Sequence, residues 1–233
     1  MIEKTKNLKA FLKFAAICSF FGALTTALLI FLPNPEVFDL NSQALLQSDK
    51  LYLSKLWILF IHPQVNIIAS LGVAYLLLKR YPLQIIIGTL FLLLWAFTEI
   101  MQQSLLIDAL NQIWRPAYLN AEDQITQDMY RTLIKGAIGI SDSHYFVVIY
   151  GFGLGTLFYG LALIQLKEWA KWIGVALVFI GLLSIISFIR YYLNFGQLSP
   201  IVDGAYQWVY PYLQPVVRIA LGVWILKEIN KAS

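Results

Sequence analysis

Six long apolar stretches, separated by loops that alternate between basic and acidic, constrain this chain more than anything else in it. A helix that crosses a bilayer needs ~20 mostly apolar residues. The stretches 10–32, 56–78, 83–107, 140–165, 170–193 and 208–226 meet that length. Together they take up most of the 233 residues and leave no room for a soluble domain. Of the whole chain, 59% is hydrophobic and 13% charged, where a soluble domain carries roughly a quarter charged residues. The expected fold is all-α: a polytopic membrane protein of six transmembrane helices, forming one domain over 1–233.

The loops orient those helices. With the N-terminus in the cytoplasm, the cytoplasmic flanks hold ten basic residues, Lys4, Lys6, Lys9, Lys13, Lys79, Arg80, Lys167, Lys171, Lys227 and Lys231. Only three acids, Glu3, Glu168 and Glu228, accompany them. The opposite loops hold five bases, Lys50, Lys55, Arg115, Arg131 and Lys135, against nine acids. The bias keeps its sign at every crossing, which places both termini in the cytoplasm. Trp57, Trp114 and Trp208 fall at the outer interface and Trp169, Trp172 and Trp224 near the inner one, as indole rings prefer. Trp95 stands apart from both belts and is expected to pack inside the bundle.

The sequence pI near 9.0 does not imply nucleic acid. The basic residues lie in short groups at helix ends, without a stripe that interleaves aromatics. The expected partner is instead the lipid bilayer. The single cysteine, Cys18, lies within the first apolar stretch and has no internal disulfide partner. That stretch is long for a signal-peptide core and lacks a small-x-small cleavage pattern before Pro33, so it reads as a retained helix.

Helix direction alternates, so depth follows from numbering. His62 and Asn66 share a face in the outer half of the second helix. Glu99, Gln102 and Gln103 do so in the third. The fourth begins with Ser141, Asp142, Ser143 and His144, where Asp142 is suited to cap exposed amides. The fifth ends with Ser184, Ser187 and Arg190, the last placed to snorkel to the headgroups. The sixth carries Gln207, Tyr210, Gln214 and Arg218 on one face. Five helices thus direct polar groups into one half of the bilayer. Charge at that depth persists when it is paired or faces a cavity. Two readings follow for Glu99: an ion pair with Arg218, or a proton carrier or ligand in a hydrated cavity.

Metal binding by His62, Glu99 and His144 has the right donor types for zinc or non-haem iron but no diagnostic spacing. Haem held between the two histidines is supported by no other residue. The sequence names no cofactor. Gly151, Gly153, Gly155 and Gly160 lie inside an apolar helix, so they read as packing sites rather than a phosphate loop. Walker, zincin and nucleophile-elbow motifs are absent.

Three segments over residues 140–228, GFGLGTLFYGLAL, WIGVALVFIGLLSII and VVRIALGVWILKE, resemble in order and spacing an uncharacterised family of six-helix bacterial integral membrane proteins, a domain of unknown function. The resemblance implies six helices and a bacterial cytoplasmic membrane, and no activity. Seven-helix membrane hydrolases coordinate zinc through three histidines; this chain has two.

The leading expectation is binding or transport of a small amphipathic molecule in a polar cavity in the outer half. Its lining is His62, Asn66, Glu99, Gln102, Gln103, His144, Gln214 and Arg218. The alternatives are a membrane-embedded enzyme acting on a lipid or lipid-linked substrate, with Glu99 as base, His62 or His144 as acid or ligand and Arg218 as anion clamp, and a scaffold subunit whose polar residues pair with one another.

Overall fold

The computed structural model describes residues 2–231, and they are helical almost throughout. Nine α-helices follow in order: α1 (Ile2–Phe31), α2 (Leu40–Leu45), α3 (Lys50–Leu77), α4 (Pro82–Leu105), α5 (Arg115–Leu119), α6 (Gln124–Ile164), α7 (Trp169–Tyr192), α8 (Ser199–Trp208) and α9 (Tyr210–Lys231). A π-helix, Leu106–Trp114, joins α4 to α5 without a break. Five helical segments are long and apolar enough to cross a membrane, and the bent pair formed by α8 and α9 makes a sixth if it counts as one span.

The spans form a ring. α1 packs on α3, α3 on α4, α4 on α6 and α6 on α7, while α9 closes the ring against α1 and, through a much smaller interface, against α7. The order follows from the connections. Residues 78–81 and 165–168 are too short for anything but antiparallel hairpins, and Tyr81 Oη donates to the Gln165 carbonyl at 3.2 Å, tying the two turns together. The opposite end carries α2, α5 and α8 and is the elaborated, capped end.

Small residues set the spacing. A Cβ on Gly151 would come within 2.9 Å of the Phe91 carbonyl oxygen and the Trp95 amide of α4, so only glycine admits this approach. Gly160 faces α7 in the same way: a Cβ there would come within 2.7 Å of the Val178 amide nitrogen. The packing role expected of these glycines is therefore what they perform. α1 approaches α9 through Ser19, whose hydroxyl donates to the Arg218 carbonyl at 2.6 Å.

Three local expectations are corrected. The polar region 108–139 is not a loop: α4 runs on through the π-helix and α5, and α6 begins at Gln124 rather than at 140. Asp142 therefore sits within a helix and caps nothing; the N-cap is Asp123, whose carboxylate accepts from the Thr126 amide at 2.8 Å. The span expected at 208–226 begins after a 55° bend, with α8 folded across the capped end.

The capped end has its own core. Ala44, Leu110, Tyr118, Ile134 and Ala137 pack together there. Arg115, only 1% exposed, holds them in place. Its guanidinium donates to Asn111 and, at 2.9 Å, to Gln43, and it lies over the Tyr52 ring. Asn111 in turn donates to the Leu106 carbonyl at 2.5 Å, within the π-helix itself. A π-turn leaves carbonyls displaced from the α-helical ladder, and here a side chain takes one up. Lys55 ties α3 to the Leu32 carbonyl and to Asn34 in the same region.

Candidate functional site

The ring encloses two adjoining cavities. The larger, about 640 Å³, lies toward the capped end and draws its lining from every span. His62, Glu99, Gln102, Gln103 and Gln214 contribute polar groups, and Leu29, Leu59, Val148 and Phe152 contribute apolar ones. The smaller, about 60 Å³, lies deeper and is lined by Asn66, Thr156, Tyr159, Gln214 and Arg218 among apolar side chains. Trp95, Phe152 and Gln214 line both cavities and mark the junction. Seven of the eight residues expected at the site thus border one cavity or the other. His144 borders neither: it sits half-buried on α6, with Nδ1 buried and unpartnered.

His62 is held from two sides. The Thr25 hydroxyl of α1 lies 2.8 Å from Nδ1. The Asn66 amide nitrogen, one turn along α3, lies 3.1 Å from Nε2 and 2.7 Å from the His62 carbonyl. That amide has two hydrogens, one for each acceptor, so Nε2 accepts. Nδ1 then carries the proton and donates to Thr25, whose own hydroxyl hydrogen goes to the Gly22 carbonyl at 3.0 Å. Every polar atom of this set is satisfied except Asn66 Oδ1. The ring also packs edge-on to Trp95, 6.1 Å between centroids. Pro63, inside α3, is accommodated without interrupting the helix.

Glu99 and Arg218 do not form the ion pair that their depth suggested. The ion pairs among the described residues are Arg131–Asp128, Arg190–Asp203 and Lys231–Glu228. Glu99, 7% exposed, borders the larger cavity, whereas Arg218 borders the smaller. The two still act on each other electrostatically, and Trp95 acts on Glu99. The separation is built into the helices. Glu99 lies one turn beyond Trp95 toward the capped end of α4, and Arg218 lies one turn beyond Gln214 the other way along α9. Arg190, expected to snorkel, instead pairs with Asp203 of α8.

The amides divide their work. Gln102 donates to the Ser141 carbonyl at 2.9 Å and to its hydroxyl at 2.7 Å, binding α4 to α6. Gln103 is 4% exposed, and its Oε1 has no partner within the protein. Among the described residues five buried side-chain polar atoms are unpartnered: Asn66 Oδ1, Gln103 Oε1, Arg115 Nε, His144 Nδ1 and Arg218 Nε. Three of them belong to cavity-lining residues. Such atoms are rare in folded proteins.

No three of the His, Cys, Asp and Glu side chains among the described residues come together as a metal site. The set His62, Glu99 and His144 is disassembled by the position of His144, and both nitrogens of His62 are already engaged. Thr25, Thr26, Ser19 and Tyr145 belong to the site region and were not anticipated. Their signal was present: Ser19, Gly22, Thr25 and Thr26 recur at helical spacing on one face of the first apolar stretch. Comparison with protein-family models, curated proteins and solved structures finds no match to this chain.

Proposed function

We propose that this is a six-span membrane protein that binds or transports a small amphipathic molecule in its paired cavities. The observation that carries the reading is the cavity of about 640 Å³ bordered by His62, Glu99, Gln102, Gln103 and Gln214, which adjoins a smaller one bordered by Asn66 and Arg218; Asn66 Oδ1, Gln103 Oε1 and Arg218 Nε lie unpartnered in the walls. Buried polar groups cost free energy unless a partner meets them, and a ligand head group supplies one. The apolar side chains of the larger cavity suit the rest of such a molecule.

The orientation that fits is both termini in the cytoplasm. The basic residues gather at the end with the short hairpin turns, and the acidic residues at the capped end. The larger cavity then lies in the outer half. The setting is a bacterial cytoplasmic membrane, as the resemblance over 140–228 implies.

Neither alternative gains as much support. For an enzyme, His62 is a poor acid or base because Thr25 and Asn66 occupy both its nitrogens. A scaffold whose polar residues merely pair with one another has no use for these cavities. A native mass spectrum of the full-length protein, extracted gently from its own membrane, tests the proposal. The expected result is a bound organic mass that survives extraction. Apo protein at every detergent condition tried, with no added amphiphile bound either, would overturn it.

A further inference from the structure

The two cavities differ in the sign of what they offer. The larger holds one charged acceptor, the Glu99 carboxylate, with Gln103 one turn along the same face of α4 and the hydroxyls of Tyr145, Tyr206 and Tyr210 among its lining. The smaller presents the one charged donor, the Arg218 guanidinium, whose Nε is buried without a partner. No other charged side chain lines either cavity.

Opposite charges at this depth gain most by joining, because their attraction is little screened and each is costly to leave alone. Here they are kept apart. Trp95 and Gln214 line both cavities at the junction, and α4 and α9 carry Glu99 and Arg218 away from that level in opposite directions, about 6 Å along each helix axis. Ser19 and Asn66 crowd Arg218 from α1 and α3: Ser19 holds its carbonyl, and Asn66 Oδ1 and Arg218 Nη1 flank the same point above Gly22. A group placed across the junction meets a carboxylate at one end and a guanidinium at the other.

We infer that the ligand's head group is a zwitterion, with an ammonium directed to Glu99 and a carboxylate or phosphate directed to Arg218. This rests on the reading of the cavities as a ligand site and names the chemistry that the site selects. The ammonium meets the Glu99 carboxylate in the larger cavity, and the anion accepts from the Arg218 guanidinium in the smaller. The small volume beside Arg218, about 60 Å³, admits a compact anionic group and excludes a bulky one. A free amino-acid-like metabolite and a lipid head group such as phosphoethanolamine share this chemistry.

The test is a ranking of probes on the purified full-length protein in nonionic detergent, read as dissociation constants by calorimetry. Lauroyl-lysophosphatidylethanolamine carries both charges, lauroyl-lysophosphatidic acid only anionic charge, and dodecylamine only the cationic one. The zwitterion is expected to bind at least about tenfold tighter than either, the usual scale for losing a desolvated charge contact. Glu99→Gln should remove its advantage over the anion, and Arg218→Gln its advantage over the amine. The wild-type ranking needs no variant, so it stands even where a substitution prevents folding. O-phosphoethanolamine binding as tightly as the lysolipid assigns a free metabolite; binding by the lysolipid alone assigns a membrane lipid. An anion or an amine that equals the zwitterion on the wild-type protein overturns the inference. So does a bound native mass without an ammonium group, which leaves the cavity reading intact. Absence of any bound mass together with absence of any probe binding defeats both.

Discussion

The Thr25 hydroxyl of α1 stands 2.8 Å from Nδ1 of His62 on α3, the ring nitrogen that keeps the proton because the Asn66 amide donates to the other. Thr25→Val keeps the shape and leaves that N–H unpartnered in a buried site. It should cost about 1–3 kcal/mol, the penalty of an unsatisfied buried donor. Thr25→Ser should restore most of it. Thermal unfolding of the two variants in detergent checks this, and equal midpoints for Thr25→Val and wild type would rule the contact out as a stabilising one.

Glycine substitutions should split into two classes. Gly151→Ala puts a methyl 2.9 Å from the α4 backbone and should destabilise by about 1–3 kcal/mol. Gly136→Ala and Gly139→Ala meet nothing within 4 Å on the same helix and should stabilise by about 0.5–1 kcal/mol each. Unfolding midpoints that shift in the same direction for all three would contradict the packing described for α6.

The start of α6 should respond to acid. Backbone and side-chain hydrogen bonds from Thr126 hold the Asp123 carboxyl below its ordinary value of 3.8. A depressed carboxyl contributes its stability in full above the unfolded value and loses it as pH falls through the folded one. Hydrogen exchange of the first-turn amides should therefore be flat from neutral pH to about 4, once intrinsic rates are removed, and should rise below that. The cap of α2 by Asp39, lowered in the same way by Ser42, should follow the same course. Loss of first-turn protection already at pH 6 would show that the carboxylate caps do not control these ends.

Arg115 anchors the capped end through Gln43, Asn111 and the Tyr52 ring. Arg115→Met retains the apolar stem and removes the charged donors. A loss of about 1.5–3 kcal/mol is expected, the range for a hydrogen bond to a charged group. Limited proteolysis should then cut within residues 33–49 before any other segment. Unchanged resistance there would mean that the hydrophobic contacts of the cap suffice.

The orientation can be read with cysteine chemistry, since the one native cysteine, Cys18, is buried. Glu122→Cys, at the capped end, should react with a membrane-impermeant maleimide on intact cells. Lys167→Cys, at the hairpin-turn end, should react only after the cells are opened. The reverse pattern inverts the topology.

The apolar pattern and the hairpin turns were readable in the sequence because they depend on local length and composition. Asp142 was misread for a local reason too: Ser141 to Ser143 resembles a helix start, but α6 had already begun at Gln124 and carried the chain past it. Tertiary partners made the other differences. Nothing in the spacing of Glu99 and Arg218 says that they border different cavities, because that depends on how α4 and α9 meet across the ring. His62, Asn66, Glu99 and Gln103 were identifiable from helical spacing alone, since a polar face in an apolar helix must point at something other than lipid. His144 obeyed the same rule, yet it lies off both cavities.

The unbroken course of α6 has a mechanical consequence. Its 41 residues measure about 60 Å, twice the ~30 Å of a hydrocarbon core. Its far part seats Ile134 and Ala137 in the capped end, and its near part carries the glycines that grip α4 and α7. A continuous helix has no hinge at which these two duties part company. A load applied to the cap from outside is therefore delivered, as through a rigid strut, to the glycine contacts beside the buried cavities.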